Sequence, residues 1–310
     1  MTVWKAGALW CLLAASGAAH AATGLVWQWP EDEARRFRLK ADISLHQAVM
    51  LEAEYNRSAR VYDLAIALDV KCTPTRLGKS SIEVACDVDA AQLQAGGEDD
   101  DNLPMILQEW DDKLENDARI QMSFTNDGKV REIDLVGLNE RNQRIRLIKE
   151  TLHAFVTRMF STFDLQLPKE GDDEGKSWRQ RSEMVVQLPM ITGSAGSSQL
   201  NSTVSSVDGD HAIIDTVGRS TLMIGQQVSG PGNSRPPDVF DLTLSSRAVF
   251  DTAQGILVGR TLQVRGDLTP SSGSAMGTKP APYLFAAEVQ YVPPGAAMPM
   301  LGDSTVRPMR

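Results

Sequence analysis

Apolar and polar residues alternate with a period of two along most of this chain. RRFRLKADISLHQAVML, RVYDLAIALDV, SIEVACDV, RIQMSFT and KVREIDLVG each put apolar side chains on one face and polar ones on the other, the signature of half-buried strands. Two stretches change to a helical period. In LPMILQEWDDKLEND, Pro104 stands at a helix start and Ile106, Trp110 and Leu114 recur every four residues, which predicts a short helix. In NERNQRIRLIKETLHAFVTRMFSTF, Ile145, Ile148, Leu152, Phe155 and Met159 recur at three- and four-residue steps, Phe160 widens the stripe, and Asn139 or Asn142 can cap it. That spacing predicts a long helix over 140–163 with its stripe turned to the core. After it the pattern is strand and turn: EMVVQLPM, a hairpin on Asp208-Gly209, then STLMIGQQVS, FDLTLSSRAVFD, GILVGRTLQVRG and YLFAAEVQYV.

Between the helix and the later strands lies LQLPKEGDDEGKSW, polar, acidic and glycine-bearing, which sets a boundary at Pro168. The expected fold is α+β, mainly β. It has curved antiparallel sheets in two related halves, with one long and one shorter helix in the first. The first half covers 22–168, the second, an antiparallel β half, 169–293, and a tail at 294–310 has no burying pattern and reads as disordered. The relation between the halves rests on an echo. ARIQMSFTNDGKVREIDLVG returns as SRAVFDTAQGILVGRTLQVRG: Phe124 and Phe250 precede turns, Gly128 and Gly255 end them, and alternation follows each. These four residues, with Pro168 and Trp178, are the structural positions singled out. Trp27 and Trp29 alternate as on an edge strand, with core packing the favoured role.

Phe163, Leu167, Pro168, Gly175 and Trp178 form an aromatic-x-x-x-Leu-Pro element followed by a glycine and a tryptophan. It resembles a group of uncharacterised exported bacterial β-rich proteins, a domain of unknown function. The resemblance covers roughly Trp27 to Val292. Gly175-Lys176-Ser177-Trp178 lacks the aspartate of the usual Gly-Asp-x-Trp. It implies export and a β-rich architecture, and carries no activity and no catalytic residues.

The first residues set the address. Lys5, the apolar run Ala6–Ala15 and Ala19-His20-Ala21 have the order of a secretory signal, with cleavage after Ala21 and a periplasmic or extracellular product. The apolar run is too short to span a bilayer, no later one could, and Cys11 follows bulky Trp10 rather than small residues, against lipidation. Cys72 and Cys86 then remain as an even pair beside a turn-rich TPTRLGKSS loop, and an even pair in an oxidising compartment reads as a disulfide.

The remaining chemistry is sparse. A formal charge of -9 argues against nucleic acid and against docking on anionic lipid. His46, His153 and His211 lack zinc spacing, and neither a nucleophile elbow nor a phosphate loop occurs. SAGSSQ from Ser194 reads as a turn. The acid runs Glu98–Asp101 and Glu170–Glu174 do not have calcium-loop spacing and read as solvated loops. No cofactor or metal is expected. The pattern points to a non-catalytic envelope protein that binds an apolar ligand, such as a lipid, or a partner protein through a curved sheet. The alternative is a secreted hydrolase built from scattered Asp, Glu or Ser residues, although the 6% aromatic content is low for a sugar cleft. An apolar cavity marks the carrier, a closed core the partner surface, and a cleft with two facing carboxylates the hydrolase.

Overall fold

The computed structural model describes residues 25–31, 33–46, 61–96, 110–138, 143–168, 174–182, 194–224, 238–268 and 281–296. The signal segment with its cleavage point after Ala21, the acid runs at 98–101 and 170–173, and the tail from 297 lie outside the described residues. Among the described residues, no helix is long and apolar enough to cross a membrane.

Eleven strands form one antiparallel sheet. They are β1 (Arg35–His46), β2 (Val61–Leu77), β3 (Ser81–Gly96), β4 (Arg119–Thr125), β5 (Val130–Val136), β6 (Ser177–Ser182), β7 (Ser194–Asp208), β8 (His211–Ile224), β9 (Asp238–Asp251), β10 (Ile256–Leu268) and β11 (Ala281–Val292). The spatial order is β5-β4-β3-β2-β1-β11-β10-β9-β8-β7-β6. The two-halves architecture is therefore overturned. β1 pairs with β11 from Arg36↔Val292 to Ser44↔Leu284, and that ladder joins everything before Pro168 to everything after it in a single sheet. The alternation that reveals a strand reports which face is buried. It carries no information on which strand lies beside it, so the central pairing was invisible to it.

The register shows how one apolar face is assembled. Leu39 lies between Leu68 and Val289, Ala41 between Ile66 and Ala287, and Phe37 between Val70 and Tyr291. Leu39, Leu68 and Val289 are all buried. Helix α1 (Trp110–Asn116) lies against β3, and α2 (Gln143–Phe160) lies against β5 and β1. A 3-10 turn at Ser161–Phe163 continues α2 onto β10 and β11. The helical run expected over 140–163 thus ends as a different helix type, and it serves strands on both sides of the β1–β11 junction rather than a first half. Leu152, Phe155 and Met159 of its stripe are buried.

Three local expectations change. Trp27 and Trp29 belong to no edge strand: the segment Leu25–Trp29 crosses the apolar face, and both rings are buried. SAGSSQ is not a turn but the start of β7, with Ser198 and Ser202 turned inward into buried hydroxyl pairs, Ser198 with Ser220 and Ser202 with Thr216. TPTRLGKSS is mostly strand, leaving only Gly78 to Ser80 for the turn. The disulfide Cys72–Cys86 joins directly opposed residues of β2 and β3 inside the core.

The two echoed hairpins meet on one residue. The Trp27 ring lies 5.7 Å from Phe124 and 5.5 Å from Phe250. Phe124 and Phe250 each sit beside a register shift near the turn. Gly128 has φ +88°, and a Cβ there would meet Trp27 Nε1 at 1.9 Å and the Leu165 carbonyl at 2.2 Å. Gly255 has φ +60°, and its Cβ would meet the Gln28 side chain at 2.5 Å. Both glycines are required by close approach as well as by backbone conformation. Gly128→Ala should therefore cost about 3 kcal/mol, combining left-handed strain with overpacking. Gly175→Ala also has a positive φ, +84°, but meets nothing within 4 Å and should cost only about 1 kcal/mol. Urea melts of the two variants would measure the difference.

Candidate functional site

The segment after the 3-10 turn determines what surfaces the sheet presents. Asp164 accepts a hydrogen bond from the backbone N–H of Val130 at 2.9 Å and one from the Ser182 hydroxyl at 2.6 Å. Val130 opens β5 and Ser182 ends β6, the two edge strands. In a flat sheet of this width they would stand about 48 Å apart, at ~4.8 Å per strand gap. One carboxylate touching both requires a strongly curled sheet. The neighbours of Asp164 complete the closure: the Leu167 N–H donates to the Asp127 carbonyl at 2.7 Å, Trp27 Nε1 to the Leu165 carbonyl at 3.2 Å, and Trp178 Nε1 to the Gln166 carbonyl at 2.9 Å. Arg260 Nη1 donates to the carbonyls of Thr162 at 3.0 Å and Asp164 at 2.7 Å, and its Nε to Ser246 Oγ at 2.7 Å. Burial pulls the Arg260 pKa down to about 10, so these acceptors hold a charge the core disfavours. Pro168, buried, ends this segment.

Two hollows formed by described residues lie across the strands on the polar face. One, of about 820 Å³, is lined by Arg179, Arg181, Gln199, Asn201, Val217 and Arg219. A second, of about 670 Å³, shares Val217 and runs over β9, β10 and β11 to Lys40 and Asp42 of β1. The register explains the first. Arg181 pairs with Gln199, Gln199 with Arg219, Arg219 with Thr243, and Thr243 with Arg265, so three arginines share one cross-strand row. Arg181 and Arg219 stand two strands apart, about 10 Å, and Arg179 lies two residues along β6.

These arginines differ from others on the same face. Arg38 makes a buried bidentate pair with Asp69 at 2.7 and 2.8 Å, Arg119 reaches Asp87 at 2.9 Å, and Arg247 grips Asp215 at 2.8 and 2.9 Å. Among the described residues, Arg179, Arg181, Arg219 and Arg265 have no carboxylate partner. Val217, between them, is 57% exposed. In the second hollow the hydrogen bonds from Arg247 hold the Asp215 carboxyl below the usual range, which keeps it ionised and unsuited to donating a proton. Among the described residues no group of three or more His, Cys, Asp or Glu side chains could hold a metal ion. His153 Nε2 lies 3.1 Å from the Ile133 carbonyl, and His211 is exposed after its turn.

Phe124, Gly128, Phe250 and Gly255 thus hold Leu25–Trp29, Cys72 and Cys86 staple β2 to β3, and Pro168 and Trp178 belong to the closure between edges. None lines the arginine hollow except by proximity: Arg179 follows Trp178 directly. Arg219 lies 38 residues beyond Arg181, so only RQR at Arg179–Arg181 was visible as a local signal, and the acidic total concealed it.

No family model and no curated protein matches the chain. Among solved structures, a chain described as "Lipid-protein interactions in lipovitellin" is similar with a TM-score of 0.47 and 8% identity over 87% of this chain, which spans 26% of that one.

Asp127 in the β4–β5 turn accepts hydrogen bonds from the Thr125 hydroxyl and from Gln166 Nε2 at 3.0 Å. Burial works to raise its pKa, but these bonds and those from the backbone N–H groups of Asp127 and Lys129 outweigh it, and the net shift is downward. A lowered carboxylate pKa contributes stability above the unfolded value, about 3.9, and loses it as pH falls through the folded value. Asp127→Asn should therefore lower the urea midpoint at pH 7, and the gap from the unmodified protein should shrink by pH 3.

Proposed function

We propose that this is a non-catalytic, exported binding protein that holds an acidic segment of a partner protein across the polar face of its curled sheet. The observation that carries the reading is the group of unpaired arginines, Arg179, Arg181 and Arg219, that line a hollow of about 820 Å³ on a chain whose net charge is -9. Like charges held near one another on a sheet face repel, and proteins relieve such repulsion with carboxylates, as Arg38, Arg119 and Arg247 do here. Leaving three guanidinium groups without them favours an acceptor supplied from outside. Asn201 and Gln199 add amide groups able to bond a backbone, and exposed Val217 adds an apolar contact. The buried Cys72–Cys86 bond supports an oxidising compartment, in line with the exported family that the Leu-Pro element resembles.

The test is titration with a glutamate-rich peptide, followed by fluorescence anisotropy at low and at physiological salt. Arg179→Gln, Arg181→Gln and Arg219→Gln combined should weaken binding at least tenfold, about 1.4 kcal/mol, with an unchanged urea midpoint. Arg247→Gln should leave the affinity nearly unaltered. Equal affinity in the triple variant would refute the reading.

A further inference from the structure

The two hollows on the polar face differ in charge. Arg179, Arg181 and Arg219 give the first three cations and no anion. The second is lined by five charged side chains, and each has its counterpart. Arg247 grips Asp215 through two hydrogen bonds, Lys40 stands directly opposite Glu288 in the β1–β11 ladder, and Asp42 is also engaged. Opposite charges on facing strands compensate one another in place. What the second hollow offers a ligand is therefore neutral: the Ser245 hydroxyl, the Gln263 amide and the small side chain of Ala286.

A single cross-strand row runs through both hollows. Arg179 pairs with Asn201, Asn201 with Val217 and Val217 with Ser245. Ser245 then pairs with Gln263, Gln263 with Ala286 and Ala286 with Asp42, so the row reaches from β6 to β1. Every member lines one hollow or the other, and Val217 lines both. The Asp215–Arg247 and Lys40–Glu288 pairs stand two residues to one side of this row, and Arg181 and Arg219 two residues to the other. The short side chains of the row thus form the floor of one groove between charged rims. Its six strand gaps span about 29 Å at ~4.8 Å each, the reach of about nine extended residues at ~3.3 Å. Strands β7 to β11 are paired on both sides, so a segment lying across them bonds to side chains and not to the sheet backbone.

Resting on the acid-binding reading of the arginine hollow, we infer that the partner segment is bipartite. About three acidic residues lie over β6 to β8, and about six small, uncharged ones continue along the same groove over β9 to β1. Acid in the second part would meet Glu288 and Asp42 with no uncompensated cation to receive it.

The experiment uses the full chain and labelled peptides with blocked ends, read by fluorescence anisotropy at one salt concentration. The probes are Glu-Glu-Glu alone, that block followed or preceded by Ser-Ala-Ser-Ala-Ser-Ala, and nine glutamates. The better of the two bipartite peptides should bind at least tenfold more tightly than Glu-Glu-Glu and at least threefold more tightly than nine glutamates. A further Ser-Ala-Ser should change its affinity less than twofold, because the groove is then full. Ala286→Trp, which fills the floor at β11, should bring the bipartite peptide down to the affinity of Glu-Glu-Glu and leave Glu-Glu-Glu itself unaltered. Ser245→Trp places the same block on β9, so a folding defect in one variant, read by its urea midpoint, leaves the other to decide. If Glu-Glu-Glu binds and the neutral extension adds nothing, the bipartite groove is overturned and the arginine reading stands. If no acidic peptide binds, both fall. Tighter binding of nine glutamates would show that charge count alone decides, against the inference. Self-association of the protein in sedimentation velocity, abolished by Ala286→Trp, would give the groove to a second copy and overturn the assignment to another protein's segment.

Discussion

Everything in this molecule depends on how an antiparallel sheet with two open edges is kept from remaining open. The answer is one aspartate. Asp164 bonds the first residue of β5 and the last of β6, and Arg260 holds the Asp164 carbonyl from beneath. An unprotected edge displays a row of unpaired N–H and C=O groups, and proteins blunt such edges with charges, bulges or covering segments. Here that segment is Asp164–Pro168, which follows the last helical turn, and its hydrogen bonds hold the sheet curled. The curl in turn separates an apolar interior from a polar exterior with hollows.

Individual strands and the disulfide were legible in the sequence, and their neighbours were not. Period-2 alternation in RIQMSFT matches the buried positions Ile120, Met122 and Phe124, because burial of one face is a local property of each strand. The pairing of β1 with β11 joins residues some 250 positions apart, and nothing local to Arg36 or Val292 records it. The acidic stretch around Pro168 looked like a boundary because it is polar and glycine-bearing. Its two ends are tied down instead: Gln166 donates to Asp127 and accepts from Trp178, hydrogen bonds that a free linker would leave to water. Trp27 looked like an edge residue for the same reason. Its alternation with Trp29 reflects a short extended crossing of the core, not a strand.

Two further features were less legible still, for a different reason in each case. The arginines of the polar face become a group only through the register of β6, β7 and β8, so composition could report their sum but not their arrangement. Arg158 lies within a helical stripe whose neighbours Phe155 and Met159 are apolar, and a long cationic side chain at such a position usually extends to water. Its burial against Tyr283 and Phe285 depends on β11 reaching the middle of the sheet. Both features are products of topology, and topology was the part the pattern could not carry.

The place of β1 beside β11 has a consequence for how the molecule comes into being. The strands at the centre of the sheet are the ones farthest apart along the chain, while the local hairpins β4–β5, β7–β8 and β9–β10 lie towards its flanks. Hairpins close quickly, whereas pairing residues separated by most of the chain must first pay for closing a very long loop. Folding therefore works from the flanks inward. Until β11 arrives, β1 is an exposed edge whose apolar face, Phe37, Leu39 and Ala41, is open to any other strand. The last ladder to form is the one on which the whole sheet turns, so the interval before it closes is when this chain is most exposed to misassociation.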